Sequence, residues 1–306
     1  MNIVVIGAGA VGGYFGGKLA NAGIPVTFLV REKRYQQFKE RGLQVQSIHG
    51  DFTIHPQCVL SAEEIVKPDL VLLAVKNYHV EAVYSDLKIL VERGAKILPL
   101  LNGVRHMDRL VATFGPEHIL GGICYIESTL NEQGDILQKS SMQDIVFGSL
   151  TSIDPTFLEE VQTLFQKSGV NVKRSTEIIT EMWSKYIFLV TLSGITAASR
   201  SPIGSAQKDP VLNTFLREFV EELVNVAKAH NIMLPGDFLE QIIAKIRNLN
   251  PDMTSSMHRD LEKGLPLELE SLQGTVLEMA KEHALATPCT QAVYALLHPF
   301  VQGKSE

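Results

Sequence analysis

MNIVVIGAGAVGGYFGG, residues 1–17, is the stretch on which the fold turns. Asn2 to Ile6 are mostly β-branched and apolar, as a strand buried in a parallel sheet requires. Gly7, Gly9 and Gly12 follow with the spacing G-x-G-x-x-G and run into a helical stretch, Gly13 to Ala22, that stops at Gly23. Gly7 permits a tight turn, Gly9 lets backbone approach a pyrophosphate, and Gly12 lets the helix pack close to the strand. Ala10 and Val11 lie in the turn that leads into this helix, whose N-terminus offers free N–H groups and a positive dipole end to phosphate. Strand before and helix after, the spacing marks a dinucleotide site; the plainer alternative is an ordinary βα turn.

Composition narrows the rest. At 306 residues the chain has room for one or two domains with a substantial core. A net charge of -6, with no Lys/Arg block, speaks against a nucleic-acid partner. Cys58, Cys124 and Cys289 are far apart and lack metal-ligand spacing, so no metal site is expected. Cys124 and Cys289 sit in apolar stretches and read as small core residues, which fits a reducing, cytoplasmic compartment. No apolar run reaches membrane-spanning length, and a strand that begins at residue 2 leaves no room for a signal peptide.

Further along, Pro25 to Val30 reads as a second strand ending at Arg31. An NAD-binding fold places an acid there for the ribose hydroxyls, whereas a guanidinium suits a 2′-phosphate. Arg31, with Lys33 and Arg34 nearby, therefore favours NADP(H), Glu32 keeps NAD open, and a solvated basic turn before a helix at Arg34 to Arg41 is the bland reading. Gly42 to Ile54 suggests short edge strands around a turn at His49-Gly50-Asp51. Leu70 to Val75 is the strongest central strand, with Lys76 at its carboxyl end, where open parallel sheets bind ligands. Helix Val80 to Glu92 and strand Lys96 to Leu101 lead to Asn102 at another strand end. Strands at Ile119–Leu130, Gly134–Lys139 and Asp144–Gly148, a helix Pro155–Lys167 and a strand Val170–Lys173 complete a first domain, 1–175.

From there only helical periodicity remains, at Glu177–Ser193, Val211–Asn231, Gly236–Asn248, Leu267–His283 and Thr290–Phe300. The expected architecture is α/β: a Rossmann-like dinucleotide-binding domain followed by an all-helical domain, 176–306. The apolar face of Val211–Asn231 would serve either a homodimer or an ordinary core. On the first of these helices Lys185, Leu189 and Ser193 share one face. Lys185, between Trp183 and the run YIFLVTL, is placed for partial desolvation, which lowers a lysine pKa toward the range useful in proton transfer. A snorkelling lysine is the alternative. Ser255-Ser256 reads as an N-cap or a ligand pair, and Glu268 as a helix-dipole partner or a site residue.

Taken together these pieces resemble the ketopantoate reductase (2-dehydropantoate 2-reductase) family over nearly the full length. The matching segments are GAGAVG at 7–12, Arg31 after the second strand, AVK at 74–76 and LNG at 101–103. In the second half they are W-x-K at 183–185, T-A at 196–197, S-S-M at 255–257 and Glu268, twelve residues after Ser256. The resemblance implies NADPH over the 7–12 turn, facing a cleft between domains, with its 2′-phosphate near Arg31. It implies hydride delivery to the C2 carbonyl of a small-molecule 2-keto acid and a general acid, Lys185. It further implies that Glu268 accepts a hydrogen bond from the substrate hydroxyl, Ser256 holds the carboxylate, and Lys76 and Asn102 line the cofactor and substrate sides. Ser193 falls at a substrate-side position where the family carries asparagine; Leu189 and Met253 likewise stand in place of family asparagines. A paralogue reducing another 2-keto acid and a non-catalytic nucleotide sensor remain the alternatives.

Overall fold

Ile3–Ile6 forms strand β1 with all four side chains buried, because its β-branched run lies at the centre of a sheet whose five strands run parallel. The computed structural model describes residues 1–303. Two units divide the chain, the first comprising 1–101 with 106–178 and the second 102–105 with 179–306.

In the first unit β1 is followed by α1 (Ala10–Asn21), β2 (Val26–Leu29), α2 (Glu32–Arg41), β3 (Leu43–Ser47), β4 (Phe52–Ile54) and β5 (Gln57–Val59). Next come β6 (Leu70–Leu73), α3 (Tyr84–Glu92) and β7 (Lys96–Pro99). The first sheet has the order β5-β2-β1-β6-β7. The chain leaves β1 toward one edge and returns to its other side for β6, so a crevice opens beyond the carboxyl ends where the order reverses. The short segment Gln57–Val59, not foreseen as a strand, forms one edge of this sheet by pairing with β2. The 42–54 hairpin lies elsewhere.

It belongs to a second sheet. After β7 come α4 (Arg105–Phe114), β8 (Leu120–Leu130), β9 (Ile136–Ser149), α5 (Pro155–Lys167) and β10 (Asn171–Arg174). The order here is β10-β9-β3-β4, with β8 antiparallel to β9. Two expected strands at 134–139 and 144–148 are one. Residues 139–142 bulge opposite Glu127 as the β8–β9 register shifts, and the Gln138 amide ties the bulge by donating to the Met142 carbonyl at 3.2 Å. Helix α4 was not foreseen either; its polar sequence hides three inward residues, His106, Met107 and Leu110.

Helix α1 lies between the two sheets. A Cβ added at Gly16 would stand 2.6 Å from Val5 of the first sheet, and one at Gly13 2.6 Å from Ile136 of the second. Between these glycines Tyr14 is fully buried and its hydroxyl donates to Gln143 Oε1 at 2.7 Å. Each glycine costs a helix about 1 kcal/mol relative to alanine, and here that cost is offset by close packing on both sides.

The second unit is helical: α6 (Ile178–Ser199), α7 (Gly204–Lys208), α8 (Pro210–Ala229), α9 (Phe238–Arg247) and α10 (Ser256–Lys263). A π-helical turn at Glu270–Gly274 then leads into α11 (Thr275–Glu282), followed by α12 (Pro288–Leu297). Among the described residues this unit has no strand, and none of the described helices is long and apolar enough to cross a membrane. The apolar face of α8, including Leu216, Phe219, Val220 and Leu223, is spent on this unit's own core. Helix α8 also caps α12. The Glu222 carboxylate accepts from the Cys289 and Thr290 N–H groups at 2.7 and 2.9 Å and from the Thr290 hydroxyl at 2.8 Å. Burial and then the Glu222 charge push the Cys289 thiol up to about 12, so this cysteine is a packing residue rather than a nucleophile.

Glu222 thus satisfies three donors at the end of another helix. Glu222→Ala should lower the unfolding free energy by about 1.5–3 kcal/mol, with Glu222→Gln intermediate, as read by urea denaturation.

Candidate active site

The glycine turn is built against the segment that follows β6. Gly7 has φ +97°, and a Cβ there would stand 2.5 Å from the Val75 nitrogen and 2.6 Å from the Ala74 carbonyl carbon. Gly12 presses on the Gly7 carbonyl, and its added Cβ would come within 2.8 Å of the Ala74 Cβ. Residues 74 and 75 are therefore the floor of the turn, which explains why the AVK segment accompanies the glycine pattern. Helix α1 starts at Ala10, with Val11 and Gly12 in its first turn. Its N-cap is Gly9, which brings no side-chain cap, and its first turn has no acidic residue. A Cβ at Gly9 would meet nothing within 4 Å. The first-turn N–H groups thus have no capping side chain and no acidic neighbour on their own helix, an arrangement that suits an anion.

Of the basic residues after β2, Arg34 is already engaged. Its Nε donates to the Ala8 carbonyl at 3.0 Å and its Nη1 to the Gly134 carbonyl at 2.7 Å, while the guanidinium lies 4.5 Å from the Phe38 ring centroid. Burial pulls its pKa below the usual arginine value, against the opposing charge of Asp135. Arg34 is a brace for the turn. Arg31, the N-cap of α2, and Lys33 are exposed and can receive a phosphate. Lys76 is exposed just beyond β6, where it starts a single 3₁₀ turn.

The helical unit gathers a second set of residues. Lys185 Nζ donates to Asn102 Oδ1 at 3.3 Å, and both side chains are half-buried. Asn102 follows the last strand of the first sheet in sequence but packs with the helices. Gly103, with φ +84°, turns the chain so tightly that an added Cβ would lie 2.8 Å from the Ser271 carbonyl oxygen. Val104 enters the helical core and Arg105 pairs with Glu282 at 2.9 Å.

Glu268 is 93 % buried immediately before the π-helical turn. A single helix from Leu267 to His283, opened by Glu268, is not what forms. Residues 265–268 are not helical, and the Gly274 N–H reaches back five residues to the Leu269 carbonyl. Helix α6 fixes this turn: the Tyr186 hydroxyl donates to the Leu272 carbonyl at 2.7 Å, and the Gln273 amide donates to the Val190 carbonyl at 3.1 Å and to Ser193 Oγ at 3.2 Å. Such π-turns occur often at functional sites. Ser193 is buried and its hydroxyl donates to the Val190 carbonyl at 3.3 Å. Leu189 and Met253 are half-buried.

The serine pair divides its work. Ser255 is buried and caps α10, accepting from the His258 N–H at 3.0 Å and from the Thr196 hydroxyl at 3.0 Å. Ser256 is the first residue of α10 and exposed. Two residues escaped the sequence reading. Lys245 places its ammonium 4.3 Å from the Phe188 ring centroid, one turn beyond Lys185, and burial, then the charge of Lys185, lowers its pKa. Gln273, fully buried, supplies an amide at Ser193. Neither stands out in the sequence: a lysine and a glutamine at helical spacing ordinarily mark a solvated face.

Comparison with known proteins adds independent findings. Residues 3–152 match the family model described as ketopantoate reductase PanE/ApbA, and residues 177–301 match the model of its C-terminal region. An uncharacterized oxidoreductase of Bacillus subtilis (strain 168), YkpB, is 34% identical over 304 residues, which is 99% of this chain and 100% of that one. A 2-dehydropantoate 2-reductase of Caulobacter vibrioides is 27% identical over 297 residues, 97% of this chain and 98% of that one. The crystal structure of a 2-dehydropantoate 2-reductase from Geobacter metallireducens GS-15 superposes with a TM-score of 0.86 at 27% identity, covering 98% of this chain and 99% of the other.

The two turn glycines should separate fold from binding. Gly7→Ala is expected to lose about 1–3 kcal/mol of stability from its backbone conformation alone. Gly9→Ala should keep wild-type stability yet bind a nicotinamide dinucleotide about tenfold more weakly or worse, a loss of some 1.4 kcal/mol. Thermal unfolding and calorimetric titration read the two effects.

Proposed function

Because the chain belongs to the ketopantoate reductase family and is an oxidoreductase, we propose that it reduces 2-dehydropantoate to pantoate with NADPH in the cytoplasm, serving pantothenate and coenzyme A synthesis. The observation that carries this reading is the Lys185–Asn102 pair: a half-buried ammonium oriented by an amide oxygen. The α1 N-terminus, open beyond Gly9, takes the pyrophosphate. Arg31 takes the 2′-phosphate, since Arg34 is committed to the Ala8 carbonyl. Lys76 and Asn102 line the cofactor and substrate sides. Bound NADPH supplies the hydride that reaches the ketone carbon.

The remaining chemistry falls to side chains. As the carbonyl carbon takes the hydride its oxygen becomes an alkoxide, and the Lys185 ammonium both stabilises that charge and delivers the proton. Lys185 then recovers its proton from solvent, so one hydride and one proton are consumed per alcohol formed. Asn102 orients the ammonium through its carbonyl oxygen. Glu268 accepts the substrate hydroxyl's hydrogen bond, and Ser256 donates to the carboxylate from the first turn of α10. Ser193 acts with the Gln273 amide rather than alone.

A second reading, a paralogue acting on a different 2-keto acid, is favoured by one feature. Leu189, one turn beyond Lys185, makes that face of α6 apolar, and removing hydrogen-bonding groups relaxes the rejection of near-analogues.

NADPH oxidation with 2-dehydropantoate, run beside bulkier 2-keto acids, distinguishes the two. Turnover with 2-dehydropantoate that falls by roughly 10²–10⁴ in Lys185→Ala supports the first reading. Lys185-dependent turnover of another keto acid alone supports the second, and no turnover despite tight NADPH binding overturns both. Arg31→Asp should raise the KM for NADPH while leaving that for NADH nearly unchanged.

Lys245 provides a separate check. The charge of Lys185 lowers the Lys245 pKa, and the repulsion between the two ammonium groups is mutual. Lys245→Met keeps the apolar stem and removes the charge, so the alkaline limb of the kcat–pH profile should move to higher pH.

A further inference from the structure

The helical unit carries a cluster that the reaction above does not use. His230 follows α8 as its C-terminal cap, His283 follows α11 in the same way, and Glu282 is the last residue of α11. One potential ligand atom from each of the three lies within 4.8 Å of the others. His230 Nε2 is 3.9 Å from Glu282 Oε2, and the two imidazole rings meet edge to face with centroids 4.5 Å apart. Donors at the corners of a tetrahedral zinc site, with bonds of about 2.0–2.2 Å, stand about 3.4 Å apart. Small side-chain rotations close the difference.

We propose that His230, Glu282 and His283 form a binding site for a divalent transition-metal ion of the zinc type, with the fourth position left to water. Two imidazoles and one carboxylate are a donor set suited to zinc, nickel or copper rather than to magnesium or calcium. The carboxylate is already oriented for the task. Its Oε1 accepts from Arg105 Nη2 at 2.9 Å, which leaves Oε2 on the side of His230, and a ligating carboxylate held by a second hydrogen bond is the usual outer-shell arrangement. Two helices end at the cluster, and the partial negative charge of a helix C-terminus favours a cation. The His230 ring is held as well, stacked against Trp183 at 6.1 Å and 29°. Its Nε2 also lies 3.3 Å from the Met279 carbonyl oxygen; coordination through that nitrogen replaces the proton it would donate there.

An ion at this position is structural. It joins the ends of α8 and α11 and, through Glu282 and Arg105, fastens the short segment that carries Asn102. Through the Trp183 stack it braces α6 two residues before Lys185.

Trp183 is the only tryptophan of the chain, which makes its fluorescence a local reporter. The metal-free full-length protein is titrated with nickel(II), and zinc(II) is then added in competition. The expected result is saturable quenching with one equivalent bound, reversed by zinc(II), together with a zinc-dependent rise in Tm. Glu282→Gln and His283→Asn alter exposed positions; each should weaken the apparent affinity at least about tenfold and abolish the Tm rise. Quenching that does not saturate, or that His283→Asn leaves unchanged, overturns the proposal, and neither outcome depends on catalytic activity.

Discussion

Close backbone packing between the glycine turn and residues 74 and 75 is the constraint on which the first unit depends. Gly7 can have no side chain because Val75 nitrogen and Ala74 carbon occupy that space, and Gly12 can have none because the Gly7 carbonyl does. The contact sets the distance between β1 and β6 at their carboxyl ends, and with it the direction in which α1 departs. The same helix is then gripped by both sheets through its other glycines. A turn held in this way presents its N–H groups in a fixed array. That rigidity matters more for anion binding than any one hydrogen bond, because no ordering cost remains when the ligand arrives.

In the helical unit the corresponding role belongs to α6. It offers Lys185 to Asn102, Tyr186 to the π-turn, Val190 and Ser193 to Gln273, and Thr196 to the serine that caps α10. Three neighbouring pieces of chain are thereby indexed to one helix. The π-turn is part of this indexing: its wider spacing lets Leu272 reach Tyr186 while Gln273 reaches Ser193. Glu268 just ahead of it is placed by the same contacts. Burial of a carboxylate in such a position is costly unless it is partnered, and π-turns of this kind are frequent at functional sites.

How much of this was legible depends on the range of the interaction. β1 and α1 could be read because local pattern and glycine spacing coincide, and Pro155–Lys167 because a proline and a buried stripe mark a helix. Gln57–Val59 could not, since three residues give no alternation to detect and only pairing with β2 makes them a strand. Residues 134–149 read as two strands because the bulge at 139–142 is polar; the partner strand β8 keeps them together. The expected helix start at Glu268 failed for a similar reason, as only the side chains of α6 reveal the π-turn. In the candidate site, Lys185, Asn102, Ser256 and Glu268 are singled out by spacing and resemblance. Lys245 and Gln273 were not, because their significance lies entirely in what another helix puts beside them.

That division has a chemical meaning. The parts of the site suited to hydride and proton transfer are backbone geometry and one ammonium oriented by one amide, and such parts leave a compact trace in sequence. The parts suited to choosing a substrate are scattered: Leu189 on α6, Met253 before α10, Ser193 with its borrowed amide from Gln273. An asparagine amide replaced by a serine that accepts from a glutamine keeps a polar group at the position but shifts where its donors and acceptors point. Replacement of another amide by Leu189 removes the polar group outright. On the paralogue reading proposed above, a wall altered in both ways would change which keto acid fits while leaving the reacting atoms untouched. The reaction class is therefore far more readable from this chain than the identity of the keto acid, and the two proposed readings differ only in that respect.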